Sequence, residues 1–144
     1  MSPSTPDLIK ILTTCHTIAV VGLSKDPSRA SYGVARYLQE QGYRIVPVNP
    51  VYADEPEGIL GEHCYASLAE IPFPVDVVDV FRKTEDVMPV AEQAVAIGAK
   101  GLWQQLGIRN AAADEHARAA GLWSVMDACL KVEHAKVSRQ LPKQ

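Results

Sequence analysis

Residues 18–33 read IAVVGLSKDPSRASYG, and this stretch carries the clearest fold signal in the chain. The apolar, β-branched run over 17–22 ends in glycine and is typical of a central strand covered on both faces. The segment 23–30 is rich in Ser, Asp and Pro, which predicts a loop. Helical spacing of apolar residues then predicts a helix over 32–41, which Gly42 ends.

The rest of the chain continues to alternate strands and helices. Further strands are predicted over 43–48, 63–65, 75–81, 101–104 and 122–126. Helical segments are predicted over 6–13, 67–70, 110–120 with Asn110 as cap, and 128–138, and one more from an N-cap at Thr84 to a stop at Gly98. This order predicts an α/β fold, a Rossmann-like, doubly wound, mostly parallel sheet of five or six strands with helices on both faces.

Length and composition fit one globular domain. The chain has 144 residues, of which 47% are apolar and 22% charged, so we expect a single domain over 1–144 with a core at about 17–134. A net charge of −3 lacks the basic surplus of broad nucleic-acid binding. The N-terminus lacks a secretory pattern, and no apolar run approaches the roughly 20 residues of a membrane span. We therefore expect a cytoplasmic protein without a nucleic-acid or membrane partner.

The residues that most often carry catalysis or bind metals form no recognisable pattern. Cys15, Cys64 and Cys129 lack CxxC spacing, and the histidines show no zinc pattern, so we assign no metal site and no catalytic residue. Asp76 and Asp79 interrupt an apolar strand, but residues three apart in a strand face opposite sides, which argues against joint acid–base work. One of them is expected to cap a helix or pair with a Lys or Arg.

The loop after the first strand has the composition of an anion site. Gly22 permits a sharp turn, Ser24 supplies a hydroxyl, and a helix starting near Ser31 offers amides and a positive dipole end to phosphate oxygens. Lys25 and Arg29 add cations in the same loop. The alternative interpretation is an ordinary turn with solvated charges.

A nicotinamide dinucleotide fits this loop less well. The loop lacks the GxGxxG motif, and Asn49 stands at the end of the second strand, where many dinucleotide folds place an acid that binds ribose. An NAD-type oxidoreductase is therefore the least supported alternative.

Several ordered blocks give the chain a family resemblance. They are VVGLS at 20–24, SYG at 31–33, GYRIVPVNP at 42–50, VDVFR at 78–82 and WQQLG at 103–107. With them the chain, over about 18–133, resembles the stand-alone CoA-binding proteins, which are similar to the N-terminal domain of the succinyl-CoA synthetase alpha subunit. Family members more often have Ala where this chain has Leu23, a change that is expected to narrow the mouth of the loop while leaving its backbone donors available.

The resemblance implies coenzyme A as the cofactor and a set of residues around it. The phosphates would be surrounded by Gly22, Leu23, Ser24, Lys25, Arg29, Ser31, Tyr32 and Gly33. Asn49 and Pro50 would line the adenosine side, with Phe81, Arg82 and Trp103 around the nucleotide or the start of the pantetheine arm.

The function implied is binding of coenzyme A or an acyl-CoA without catalysis. In the synthetase, phosphoryl transfer uses a histidine in a further domain, and this chain ends soon after the nucleotide-binding fold. The alternative is an accessory subunit or an enzyme of acyl-CoA metabolism. A protein partner or a homo-oligomer is open in either case.

Overall fold

The computed structural model describes residues 5–142, and their side chains from Asp7 onward. Its helices are α1 Thr5–Thr14, α2 Ala30–Glu40, α3 Val87–Ala96, α4 Ala111–Ala119 and α5 Leu130–Val137. Its strands are β1 Thr17–Val21, β2 Arg44–Val48, β3 Val77–Val80, β4 Gly101–Gln104 and β5 Trp123–Val125. Short 3₁₀ helices cover Leu68–Glu70, Thr84–Asp86 and Ser138–Gln140.

The five strands form one parallel sheet in the order β2-β1-β3-β4-β5. The chain moves from β1 outward to β2 and then returns to place β3 on the other side of β1, so the strand order reverses between β1 and β3. The predicted α/β, doubly wound fold is confirmed, with five strands.

Alternating residues of the strands fill two separate cores. In β1, Ile18 and Val20 pack with α1, α2 and α5 on one face, whereas Ala19 and Val21 pack with α3 and α4 on the other. Burial on both faces explains why β1 reads as a continuous apolar run and does not alternate with polar residues. No helix within residues 5–142 combines the length and the apolar character that crossing a membrane requires.

The predicted strand over 63–65 is wrong. Tyr65 makes only an isolated parallel bridge to Val48, at the end of β2. The preceding residues close a tight turn, in which Ile59 and Glu62 exchange backbone hydrogen bonds of 2.9 Å. The turn leaves too few extended residues for a strand.

Of the two predicted helix caps, one is confirmed and one is wrong. Asn110 caps α4, since its Oδ1 accepts a hydrogen bond of 2.9 Å from the amide of Ala113. Thr84 is not the N-cap of α3, because residues 84–86 form a 3₁₀ turn and Asp86 takes the cap position without a side-chain bond. The carbonyl of Thr84 instead accepts a hydrogen bond from Asn110 Nδ2 at 2.9 Å.

The two aspartates beside β3 have opposite surroundings. Asp76 accepts hydrogen bonds from the amides of His16 and Thr17 at 2.8 and 2.9 Å and pairs with Lys100 at 3.3 Å, so the expected pairing of one acid is confirmed. Burial alone would raise the pKa of Asp76, but the two amides and Lys100 outweigh it and lower the pKa. Asp79 is fully buried, and its carboxylate oxygens have no hydrogen-bond partner among the described residues.

Candidate functional site

A pocket of about 490 Å³ opens at the edge of the sheet where β1, β3 and β4 end. Its lining residues are Gly22, Ser24, Arg29, Ala30, Ser31, Phe81, Arg82, Lys83, Asp86 and Ile108. Residues 22–29, which we call the cradle loop, form one wall together with the first turn of α2, and the segment after β3 forms the other. The pocket therefore stands at the switch point of the strand order, where doubly wound sheets bind ligands.

Gly22 allows the two walls to approach. Its amide donates to the carbonyl of Val48 at 2.8 Å, and its φ is +90°, a conformation that favours glycine. A Cβ at this position would stand 2.1 Å from the carbonyl oxygen of Phe81. Any larger residue would push the ends of β1 and β3 apart, so the predicted turn has a steric reason.

Short polar side chains hold the cradle loop in shape. The amide of Ser24 donates to Ser31 Oγ at 3.0 Å, and the amide of Asp26 donates to Ser24 Oγ at 3.1 Å. The Asp26 carboxylate accepts from both the amide and the hydroxyl of Ser28, at 2.9 and 2.8 Å. The serines that we predicted around a phosphate are thus also internal supports of the loop.

The cradle loop ends at an uncapped helix N-terminus. Arg29 takes the N-cap position of α2, and no side chain accepts a hydrogen bond from the first amides of the helix. Ala30 and Ser31 line the pocket at this point. The first turn of α2 therefore presents amides and the positive end of the helix dipole to the pocket.

The pocket carries a positive charge. Arg29, Arg82 and Lys83 line it together with one acid, Asp86. None of the three cations forms an ion pair with another residue of the described chain. Four lining residues lie outside the predicted set, namely Ala30, Lys83, Asp86 and Ile108. For Lys83, its position directly after Arg82 at a strand end is a usable signal.

Lys25 is turned away from this group of cations. Its Nζ forms an ion pair with Glu55 and lies 5.5 Å from the ring centroid of Tyr52. Both partners belong to the loop that follows β2. Lys25 therefore stands at the β2 end of the site and does not line the main pocket.

The remaining predicted residues of this region differ in accessibility. Leu23 is fully buried, so only its backbone is available to contact a ligand. Tyr32 and Gly33 are half-buried in the first turns of α2, and Tyr32 packs against the core. A Cβ on Gly33 would meet no atom within 4 Å, so close packing does not require glycine there.

Asn49 ties the end of β2 to the cradle loop. Its Oδ1 accepts from the amide of Val51 at 3.0 Å, and its Nδ2 donates to the carbonyl of Leu23 at 3.1 Å. Because an amide N–H can only donate, the bond from Val51 fixes which end of the side chain faces Leu23. Asn49 is buried, and both ends of its amide are in use.

A smaller cavity of about 110 Å³ adjoins the main pocket, because Arg82 lines both. Its other lining residues are Val21, Val48, Pro50, Ala66, Ser67, Leu68, Val90 and Gln93. Gln93 Oε1 accepts a hydrogen bond of 3.3 Å from the amide of Leu68. The cavity is a mainly apolar slot beside Pro50, which the family resemblance places on the adenosine side. Its lining residues from Ala66 to Gln93 belong to no sequence motif that would identify them as site residues.

The two predicted aromatic residues lie at different depths. Phe81 lines the main pocket and is half-buried. Trp103 is fully buried, and its Nε1 donates to the carbonyl of Ala128 at 2.8 Å. It lines neither of the two cavities, so a direct contact of Trp103 with a cofactor stays a prediction that this placement does not favour.

Titratable groups outside the pocket offer little reactive chemistry. Burial raises the pKa of Cys15 to about 11 and also raises the pKa of Cys64, so both thiols hold their protons at neutral pH. Over the described part of the chain, no three His, Cys, Asp or Glu side chains cluster as metal ligands.

Comparison with known proteins connects this geometry to a family. The family model described as "CoA binding domain" matches residues 16–135. The uncharacterized protein YneT of Bacillus subtilis is 41% identical over 134 residues, covering 93% of this chain and 96% of that protein. A solved structure described as cell-free ID.343 from Thermus thermophilus superposes with a TM-score of 0.88 at 40% identity, covering 94% of this chain and 99% of that one.

A more distant relative is a larger enzyme. The ADP-forming acetate–CoA ligase of Methanocaldococcus jannaschii is 28% identical over 93 residues, which cover 65% of this chain but 13% of the ligase. The chain thus spans a small fraction of that relative. Since the family model matches most of the chain, and a relative of nearly equal length is so similar, the chain belongs to the CoA-binding domain family.

Proposed function

We propose that this protein binds coenzyme A or an acyl-CoA without catalysing its conversion. The observation that carries the proposal is the pocket at the switch point, lined by Arg29, Arg82 and Lys83 without ion-pair partners in the described chain. A pyrophosphate is the part of coenzyme A that needs such a group of cations beside a helix N-terminus. The match to a family model described as "CoA binding domain" supports the same ligand.

The other parts of the cofactor have matching surroundings. The apolar cavity of about 110 Å³ beside Pro50 suits a flat adenine ring, with the Gln93 amide as a polar contact. The pantetheine arm would leave the phosphates along Phe81 and Ile108, the apolar residues of the main pocket. We assign these roles from shape and chemistry, and Trp103 is left out because it is fully buried.

A second candidate is an accessory subunit of an acyl-CoA enzyme. The similarity to part of an ADP-forming acetate–CoA ligase favours it, because there the corresponding region belongs to a much longer chain. In this case a protein partner would contribute the residues that react. A pull-down from cell extract with and without coenzyme A separates the two candidates, since only an accessory subunit retains a ligase-like partner.

Calorimetry with coenzyme A, acetyl-CoA, NAD and ATP tests the proposal. Coenzyme A and acetyl-CoA should bind most tightly, and Arg82→Ala should weaken both by roughly tenfold to a hundredfold, the value of a charge-assisted hydrogen bond. Arg36→Ala is the matched control, because Arg36 is exposed on α2 and pairs with Glu40 away from the pocket. No binding of coenzyme A at millimolar concentration would overturn the proposal.

A further inference from the structure

The ion pair between Lys25 and Glu55 lies beside the proposed nucleotide site. Lys25 directly follows Ser24, which lines the main pocket, and Glu55 belongs to the loop after β2. Their side chains are 48% and 31% exposed, and the Tyr52 ring stands 5.5 Å from the Lys25 ammonium. A carboxylate of the protein thus pairs with a lysine at the edge of the proposed phosphate site.

We propose that Lys25 is a specificity-determining residue for a phosphate on the ribose of the ligand, and that Glu55 holds Lys25 until this phosphate replaces it. The ligand class is a nucleotide with a phosphorylated ribose, such as coenzyme A with its 3′-phosphate. The inference rests on the proposed function, because it requires the nucleotide in the neighbouring pocket.

The position of the ribose supports this assignment. In doubly wound sheets the ribose lies at the end of the second strand, where an acid often accepts its hydroxyl protons. Here Asn49 stands at that position, and its amide is already bonded to Val51 and Leu23. The side chain at the end of β2 is therefore committed to the protein at both its ends, and it carries no charge, whereas Lys25 is a nearby cation that can bind a ribose phosphate.

The division of the cations points the same way. Arg29, Arg82 and Lys83 surround the main pocket, where they suit the pyrophosphate. Lys25 lies apart from them, toward Tyr52 and the β2 loop. A second anionic group of the ligand, separated from the pyrophosphate by the ribose, would therefore meet Lys25 and not the pocket cations.

The exchange is energetically accessible. An exposed ion pair shifts an equilibrium by about fivefold or less, so a phosphate with more charge and three acceptor oxygens competes well with one carboxylate. Lysine can follow either partner, because its ammonium sits on a flexible stem and donates in any direction. The hydrogen bond to Glu55 is the main cause that raises the pKa of Lys25, so the ammonium stays charged.

The pair also has a selective consequence. A ligand phosphate at Lys25 competes with Glu55 for the ammonium, whereas a ligand without the ribose phosphate makes no contact that would replace the ion pair. Glu55 therefore lowers the affinity for coenzyme A, while it leaves the affinity for dephospho-CoA nearly unchanged. This difference separates a ligand-exchanging acid from one that only ties two loops together.

Calorimetry with coenzyme A and dephospho-CoA on the wild-type protein and on Glu55→Gln tests the inference. Glu55→Gln should bind coenzyme A about three- to fivefold more tightly and dephospho-CoA less than twofold more tightly. Asp54→Asn is the matched control, because it removes the same charge from the same loop at an exposed residue that has no ion pair with Lys25. It should change both ligands equally and slightly.

Lys25→Met supplies the complementary measurement. It should weaken coenzyme A about five- to twentyfold, bring its affinity close to that of dephospho-CoA, and reduce the gain from Glu55→Gln when the two changes are combined. Equal effects of Glu55→Gln on both ligands, or weaker coenzyme A binding, overturn the exchange while the proposed function stands. A wild-type protein that binds neither ligand overturns the proposed function and this inference with it.

Discussion

Replacing Asp79 with asparagine should raise the stability of the protein at neutral pH and flatten the dependence of stability on pH. Asp79 lies in β3 between Val20 of β1 and Trp103 of β4, and it is fully buried. Neither carboxylate oxygen has a hydrogen-bond partner in the described structure. Desolvation raises the pKa of Asp79 well above its ordinary value, so the folded protein keeps the proton.

The expected magnitude follows from the proton balance. An unfolded aspartate ionises at pH ~3.9, so above this pH the unfolded chain binds fewer protons at this position than the folded one. Stability therefore falls as pH rises, by about 1.4 kcal/mol per pH unit, until the raised pKa of the folded state is passed. Asparagine removes this slope, and Asp79→Val also removes the unpartnered oxygens, which adds about 1–3 kcal/mol.

Urea unfolding at pH 5, 6, 7 and 8, followed by tryptophan fluorescence, measures both effects. Asp76→Asn is the control, because the pKa of Asp76 is lowered in the folded protein. The ionised Asp76 therefore stabilises the fold above the pKa of an unfolded aspartate, and this stabilisation is lost as pH falls. Asp76→Asn should lower the free energy of unfolding by about 1–3 kcal/mol at pH 7. A pH slope for Asp79→Asn equal to that of wild type, or an Asp79→Val protein less stable than wild type, would refute the reasoning.

Three further expectations concern the cradle loop and the C-terminal helix. Gly22→Ala should lower the free energy of unfolding in urea by roughly 2–4 kcal/mol, because Gly22 has a positive φ and lies close to the Phe81 carbonyl. Gly33→Ala in α2 should leave this free energy unchanged or raise it by about 0.5–1 kcal/mol, since nothing crowds that position. Asn49→Ala should weaken coenzyme A and dephospho-CoA equally in calorimetry, by roughly tenfold, since it frees the loop without removing a ligand contact. Burial lowers the pKa of His134, whose Nδ1 is hydrogen-bonded to the Tyr37 hydroxyl. The stability of the protein should therefore fall as pH drops below the pKa of an unfolded histidine, ~6.5. His134→Gln should reduce that fall, measured as urea midpoints from pH 8 to 5.

The features that could be predicted from the sequence depend on local chemistry. The β-branched run of β1 and the glycine after it specify a buried strand and a sharp turn within six residues, 17–22. The cap at Asn110 is equally local, because its side chain bonds an amide three residues later. Such sequence patterns act over a few residues, so they can be recognised without knowing how the rest of the chain packs.

The features that escaped prediction depend on which loops meet. The sequence groups Lys25 with the phosphate cations because it is in the cradle loop, but the loop after β2 supplies Glu55 to it. The sequence gives no sign that the Asn49 amide bonds to Leu23 and Val51. No spacing rule links residues 25 and 55, because the path of a loop between strands follows from packing and not from local propensity.

The polar groups around the pocket fall into two kinds, and the difference bears on recognition. Ser24, Ser31 and Asn49 are bonded to the protein itself, so they keep the cradle loop ordered without a ligand. Arg29 and Arg82 form no ion pair in the described chain, and Asp26 interacts with Arg29 without forming one, so their charge is left for an anion. A loop ordered in advance spares the ligand the entropic cost of ordering it, and unpaired cations spare it the cost of breaking ion pairs. Lys25 lies apart from these cations and is held by Glu55, so a phosphate on the ribose can engage it, whereas the pocket itself would accept any suitable diphosphate.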